Sequence, residues 1–102
     1  VLSLRTNTLQ TTRINLLEVL QAAGFEAVSS KWCEEGVICT KTAGLNALME
    51  KAPDAFYMQD ESSMLVAHAV CPQPGMTVLD LCAAPGGKTT HLAQLMQNKG
   101  RI

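Results

Sequence analysis

Val78-Leu79-Asp80-Leu81-Cys82-Ala83-Ala84-Pro85-Gly86-Gly87-Lys88-Thr89-Thr90-His91-Leu92 decides how this chain is read. Val78, Leu79 and Leu81 form a short apolar run with no helical period, which predicts a strand covered on both faces. Pro85-Gly86-Gly87 then breaks the backbone, since glycine reaches positive φ and admits a ligand close to the main chain. From Lys88 onward, Leu92, Leu95 and Met96 recur at helical spacing. A helix that opens at the end of a strand presents free N–H groups and the positive end of its dipole. In doubly wound sheets that is where ligands bind.

The charges around the turn narrow the ligand. A P-loop needs a glycine, four residues, then Gly-Lys-Ser/Thr. Gly87-Lys88-Thr89 supplies the end of that pattern, but Cys82 stands where the first glycine belongs. The Gly-x-Gly-x-x-Gly dinucleotide pattern is absent. Asp80 at the strand end would repel a triphosphate and favour an ammonium or a sulfonium. S-adenosylmethionine carries both, with a carboxylate that backbone N–H groups or Lys88 can meet. Charge and spacing leave this reading open beside a purely structural glycine turn with a solvated Lys88.

The segment Asp80–Thr89 resembles the cofactor-binding motif of the Sun/Fmu family of RNA cytosine-C5 methyltransferases. Gln59-Asp60-Glu61-Ser62-Ser63-Met64 is similar to the segment that precedes that motif in the family. The resemblance implies S-adenosylmethionine as cofactor, held by Asp80, Cys82, Ala83, Ala84, Pro85, Gly86, Gly87 and Lys88. It implies an RNA substrate, and the Cys82–Lys88 variant looks most like the bacterial ribosomal-RNA members that act on 16S ribosomal RNA. In this family a cysteine thiolate adds to C6 of the cytosine, because C5 is otherwise a poor nucleophile. The family places that cysteine, and a second motif cysteine, well after the glycine loop. Cys82 matches the cofactor motif, and Cys33, Cys39 and Cys71 match neither cysteine motif. No catalytic residue is therefore assigned here, and the isolated chain is expected to be inactive alone.

The implied fold is α/β: a small α+β RNA-side layer, residues 1–54, followed by the first strand-loop-helix of a Rossmann-like methyltransferase domain, residues 55–102. At 102 residues with net charge −1, the chain has enough apolar content for one core and no overall basic character. The four cysteines form no C-x-x-C pair, so no metal site is expected. Buried structural thiols are the expectation for Cys33, Cys39 and Cys71. With no signal peptide or membrane-length run, a cytoplasmic protein is expected.

Along the chain, Val1–Arg5 alternates as a strand with Leu2 and Leu4 inward. Thr11 or Thr12 caps a helix over Arg13–Ala23, whose apolar face is Leu16, Leu17, Leu20 and Ala23; Gly24 ends it. Glu26–Lys31 and Val37–Thr40 predict a hairpin, with Trp32 packed or half-exposed near its turn. Gly44–Lys51 predicts a short helix. Ala52-Pro53-Asp54 marks the junction, and Ala55–Gln59 an extended entry. A helix capped by Asp60, Ser62 or Ser63 runs to about Cys71, with Met64, Ala67, His68 and Cys71 on one face. Asn98-Lys99-Gly100 stops the last helix, and Arg101-Ile102 reads as the start of a further strand. The chain thus reads as an excised piece whose uncovered strand edge would favour self-association. Two other functions are consistent with these residues: a non-catalytic RNA-binding module, and a nucleotide hydrolase with a degenerate P-loop.

Overall fold

The computed structural model describes residues 1–41 and 43–102. Its elements are β1 (Leu2–Thr6), α1 (Arg13–Ala22), β2 (Ala27–Ser29), β3 (Gly36–Cys39), α2 (Leu45–Lys51), β4 (Phe56–Met58), α3 (Glu61–Val70) and α4 (Gly87–Leu95). The first six follow the order βαββαβ, and the strands form one antiparallel sheet in the order β2-β3-β1-β4. This is the split βαβ arrangement of ferredoxin-like units. The sheet takes in β4, so it reaches past residue 54 into the extended entry read at Ala55–Gln59.

Alternation along β1 gives the sheet two different faces. Leu4 pairs with Val37 on β3 and with Met58 on β4; on the same face, Leu2 pairs with Cys39. This face packs under α1 and α2, in a core built from Leu4, Leu16, Leu20, Phe25, Ala27, Val37, Cys39, Leu45 and Phe56. Thr12 caps α1 by accepting from the Asn15 N–H, and Gly24 follows its end at φ +87°. Leu16 and Leu20 are buried as the helical period requires, Leu17 is half-buried, and Ala23 is exposed because the helix has already ended.

The other face of the sheet is also covered. Arg5 lies opposite Gly36 on β3 and Tyr57 on β4, and only 2% of it is exposed. What covers it is the α3–α4 pair, packed on each other through Met64, Ala67, Leu92 and Met96, all buried. The stripe expected on α3 is thus half right. Met64 and Ala67 are core, but Cys71 is exposed at the helix end with φ 52°.

The strand expected at Val78–Leu81 forms only at its start. Thr77 makes a parallel bridge to Arg101; the Val78 N–H donates to the Arg101 carbonyl at 2.9 Å, and the Arg101 N–H to Met76 at 3.0 Å. Leu79 and Leu81 are 80% and 84% exposed, the opposite of the burial their apolar character predicts. No strand among the described residues covers them. The geometry is still that of a parallel crossover through α4. Gly100 permits it: at φ +124° it passes so close to Met76 that a Cβ would sit 2.4 Å from that residue's carbonyl oxygen. Among the described residues no helix is long and apolar enough to cross a membrane.

Candidate cofactor loop and the contacts that hold it

Cys82–Gly86 forms a loop between the Thr77 bridge and α4. Asp80 organises it. Its Oδ1 accepts from the Cys82 N–H at 3.1 Å, and its Oδ2 accepts from the Thr89 hydroxyl at 2.5 Å. The carboxylate expected to act on a ligand therefore also closes the loop on the first turn of α4. Ala84–Pro85 is a cis peptide, and Gly86 enters the helix at φ +114°. A Cβ on Gly86 would meet nothing within 4 Å, so the space beside the loop is open. A cleft of about 270 Å³ lies between Tyr57–Asp60 and Cys82–Pro85 with Gly87 and Lys88. The structure thus brings the expected residues together: Cys82, Ala83, Ala84, Pro85, Gly87 and Lys88 line one wall, while Gly86 and Asp80 shape it. The opposite wall includes Gln59, Asp60 and Ser63, which belong to the second segment singled out in the sequence.

Several functional contacts were not foreseen. Arg5 alternates with the inward Leu2 and Leu4, yet one guanidinium nitrogen donates to Gln59 Oε1 at 2.7 Å and to the Gly87 carbonyl at 2.5 Å. The other donates to Thr90 Oγ1 at 2.8 Å, and the Thr90 hydroxyl donates to the Gly86 carbonyl at 2.7 Å. The Tyr57 ring lies 5.1 Å from the guanidinium carbon. Burial lowers the Arg5 pKa to about 10, against the raising effect of Glu35 and Tyr57, so it stays charged at neutral pH. Gln94 on α4 adds a second tie, donating to the Thr6 carbonyl at 2.8 Å and to Thr8 Oγ1 at 3.1 Å.

Glu35, just before β3, makes the third. His68 on α3 donates to Glu35 Oε1 at 2.7 Å, and His91 on α4 donates to the same oxygen. Burial pushes the Glu35 pKa up, but hydrogen bonds from His91, its own backbone N–H and His68 outweigh it and hold the carboxyl at about 2. The three groups are of metal-ligand type and lie within 4.8 Å of one another. Both imidazoles already use Nε2 on the carboxylate, and His91 Nδ1 is buried without the partner that orients a ligating histidine. The arrangement is that of a carboxylate clamped between two elements. His68, read on one face with Met64 and Ala67, is exposed and finds its partner in this bond. No local signal could have found Arg5, Glu35 or His91, because their partners lie 33 to 85 residues away.

The cysteines divide by burial. Cys33 and Cys39 are buried, and burial raises both thiols, with Glu35 and Glu61 adding to the effect at Cys33. Such thiols are poor nucleophiles. Cys71 and Cys82 are exposed, which corrects the buried expectation for Cys71. Trp32, expected packed or half-exposed, is 72% exposed.

Comparison with known proteins bears on both units. The family described as 16S rRNA methyltransferase RsmB/F matches residues 67–102, and the ferredoxin-like domain of the same methyltransferases matches residues 1–46. Both matches are to domains of the RsmB/F methyltransferase family. Among the relatives of this family is a probable ribosomal RNA small subunit methyltransferase B from Bacillus subtilis, 42% identical over 98% of this chain and 22% of its own length. A mouse 28S rRNA (cytosine-C(5))-methyltransferase is 40% identical over 99% of this chain and 13% of its own. The chain thus spans about a fifth or less of these curated relatives. A solved methyltransferase homologue from Pyrococcus horikoshii superposes with a TM-score of 0.85 at 38% identity, over 96% of this chain and 32% of that one. The family match agrees with the Sun/Fmu resemblance read from Asp80–Thr89.

Proposed function

We propose that this chain is the part of an S-adenosylmethionine-dependent methyltransferase that joins its RNA-side unit to its cofactor loop, and that the whole protein methylates C5 of a cytosine in ribosomal RNA. The observation that carries this reading is the Asp80–Lys88 loop, opening on the N-terminus of α4 and facing a cleft, in a chain matched along both units by ribosomal-RNA methyltransferases. We further assign the RNA-side role to residues 1–54 and the cofactor side to residues 55–102, with β4 as the strand they share. The small-subunit, 16S, RNA is the favoured substrate, which places the protein in the cytoplasm.

The residues fit the cofactor. The space beside Gly86 is open, and the first N–H groups of a helix have no intrahelical partners. When bound, S-adenosylmethionine supplies an electrophilic methyl group. Asp80 contributes negative charge beside the loop and keeps Cys82–Gly86 in place through Cys82 and Thr89. The backbone of Cys82–Gly87 lines the contact surface, and Lys88 is exposed at its rim, free to meet a carboxylate. No cysteine of this chain is assigned the addition to the base.

The experiment is transfer of labelled methyl groups from S-adenosylmethionine to ribosomal RNA by the full-length protein, followed by nucleoside analysis. Label in 5-methylcytosine is the expected result. Label in any other nucleoside, or none while the protein binds the cofactor, would overturn the reading.

A further inference from the structure

Arg5 is a buried cation in an unusual place. No carboxylate forms a salt bridge with it among the described residues, and its Nε has no partner. Its guanidinium lies against the first turn of α4, the positive end of the helix dipole, where a cation is electrostatically disfavoured. A residue needed only to fill space would not be charged there. What the guanidinium does is hold carbonyl groups. It takes the Gly87 carbonyl directly, and the Gly86 carbonyl by way of the Thr90 hydroxyl.

Peptide planarity gives this a consequence. In a trans peptide the C=O of one residue and the N–H of the next point in opposite directions. Fixing the Gly86 and Gly87 carbonyls therefore fixes the N–H groups of Gly87 and Lys88 on the other side of the same planes. Both residues line the cleft, and both N–H groups belong to the first turn, without intrahelical acceptors. A Cβ at Gly87 would come to 3.2 Å from the Tyr57 ring, so the turn runs close beside β4.

We infer that Arg5, acting through Thr90, is a positioning residue for the proposed cofactor loop: a side chain of the RNA-side sheet that aims the Gly87 and Lys88 N–H groups at the ligand. This rests on the function proposed above and adds a residue from the other unit to it. The same link makes the orientation of the loop depend on how β1 is seated.

The test uses the full-length enzyme, with S-adenosylhomocysteine as the calorimetric probe. Thr90 is exposed, so Thr90→Val removes the relay with little threat to folding. Arg5→Lys keeps the charge but cannot reach Gly87 and Thr90 together. Leu16→Ala, in the core under α1, serves as a variant that destabilises without touching the loop. The expected result is that Thr90→Val and Arg5→Lys each weaken binding by about fivefold or more, the worth of one good hydrogen bond. Thr90→Ser should restore affinity, and Leu16→Ala should lower Tm with affinity unchanged. KM for the cofactor should rise more than KM for RNA. If the wild type binds and Thr90→Val and Arg5→Lys bind equally well, this inference is overturned while the proposed function stands. If the wild type itself does not bind, both fall.

Discussion

At Glu35 two opposing effects act on one carboxyl. Burial disfavours its charge, and the imidazoles of His91 and His68 with the backbone N–H favour it more, bringing the folded value to about 2 from 4.5. The sign of the linkage follows. The unfolded chain takes up the proton first, so this contribution is complete above pH 4.5 and is lost as pH falls toward 2. Glu35→Gln should cost on the order of 2 kcal/mol at neutral pH. It should also flatten the acid limb of stability measured by denaturant titration between those pH values. An acid limb identical to that of wild type would show that the clamp does not carry this dependence. Neither Glu35 nor Arg5 was legible as a contact residue. Arg5 sits at an outward position of an alternating strand, and alternation says which face a side chain is on but not whether another element covers that face. The glycine turn was legible, because glycines act on the backbone beside them; the bonds from Asp80 to Cys82 and Thr89 are equally local but were not read from the sequence.

At the scale of elements, helices and hairpin followed local rules: the Thr12 cap, the Gly24 stop, the Gly36 hairpin return. The Val78–Leu81 stretch did not, because parallel strands are stabilised only by partners distant in sequence, and here Arg101 alone supplies one. Gly100 makes that pairing possible and gives the sharpest prediction for an element. Gly100→Ala would bring a Cβ to 2.4 Å from the Met76 carbonyl and 2.5 Å from Met96 Cε, at φ +124°. A loss of about 2–4 kcal/mol is expected, strain and overpacking together. Gly24→Ala, at φ +87° with nothing within 4 Å, should lose about 1 kcal/mol. Equal denaturation midpoints for the two variants would mean that the Met76–Arg101 crossover contributes little. Gly86→Ala combines positive φ with open space, so it should alter ligand affinity more than it alters packing.

For the molecule as a whole, Leu79 and Leu81 leave apolar side chains exposed beside the unpaired stretch. The 102-residue chain alone should self-associate through them, and Leu79→Lys with Leu81→Lys should shift it toward monomer in sedimentation; a monomeric unmodified chain would contradict this. The central claim is that the Asp80–Lys88 loop takes S-adenosylmethionine and not a nucleoside triphosphate. Asp80→Asn tests it, since the amide retains the shape of the brace to Cys82 and Thr89 while removing the charge. Attraction lost scales with ligand charge, so the cationic cofactor should suffer more than its uncharged-sulfur analogue. The deciding measurement is a paired titration of the full-length wild type and Asp80→Asn with S-adenosylmethionine and with ATP. The account predicts cofactor binding that weakens on substitution and no ATP binding by either protein. ATP binding that tightens in Asp80→Asn, with S-adenosylmethionine unaffected, would contradict it.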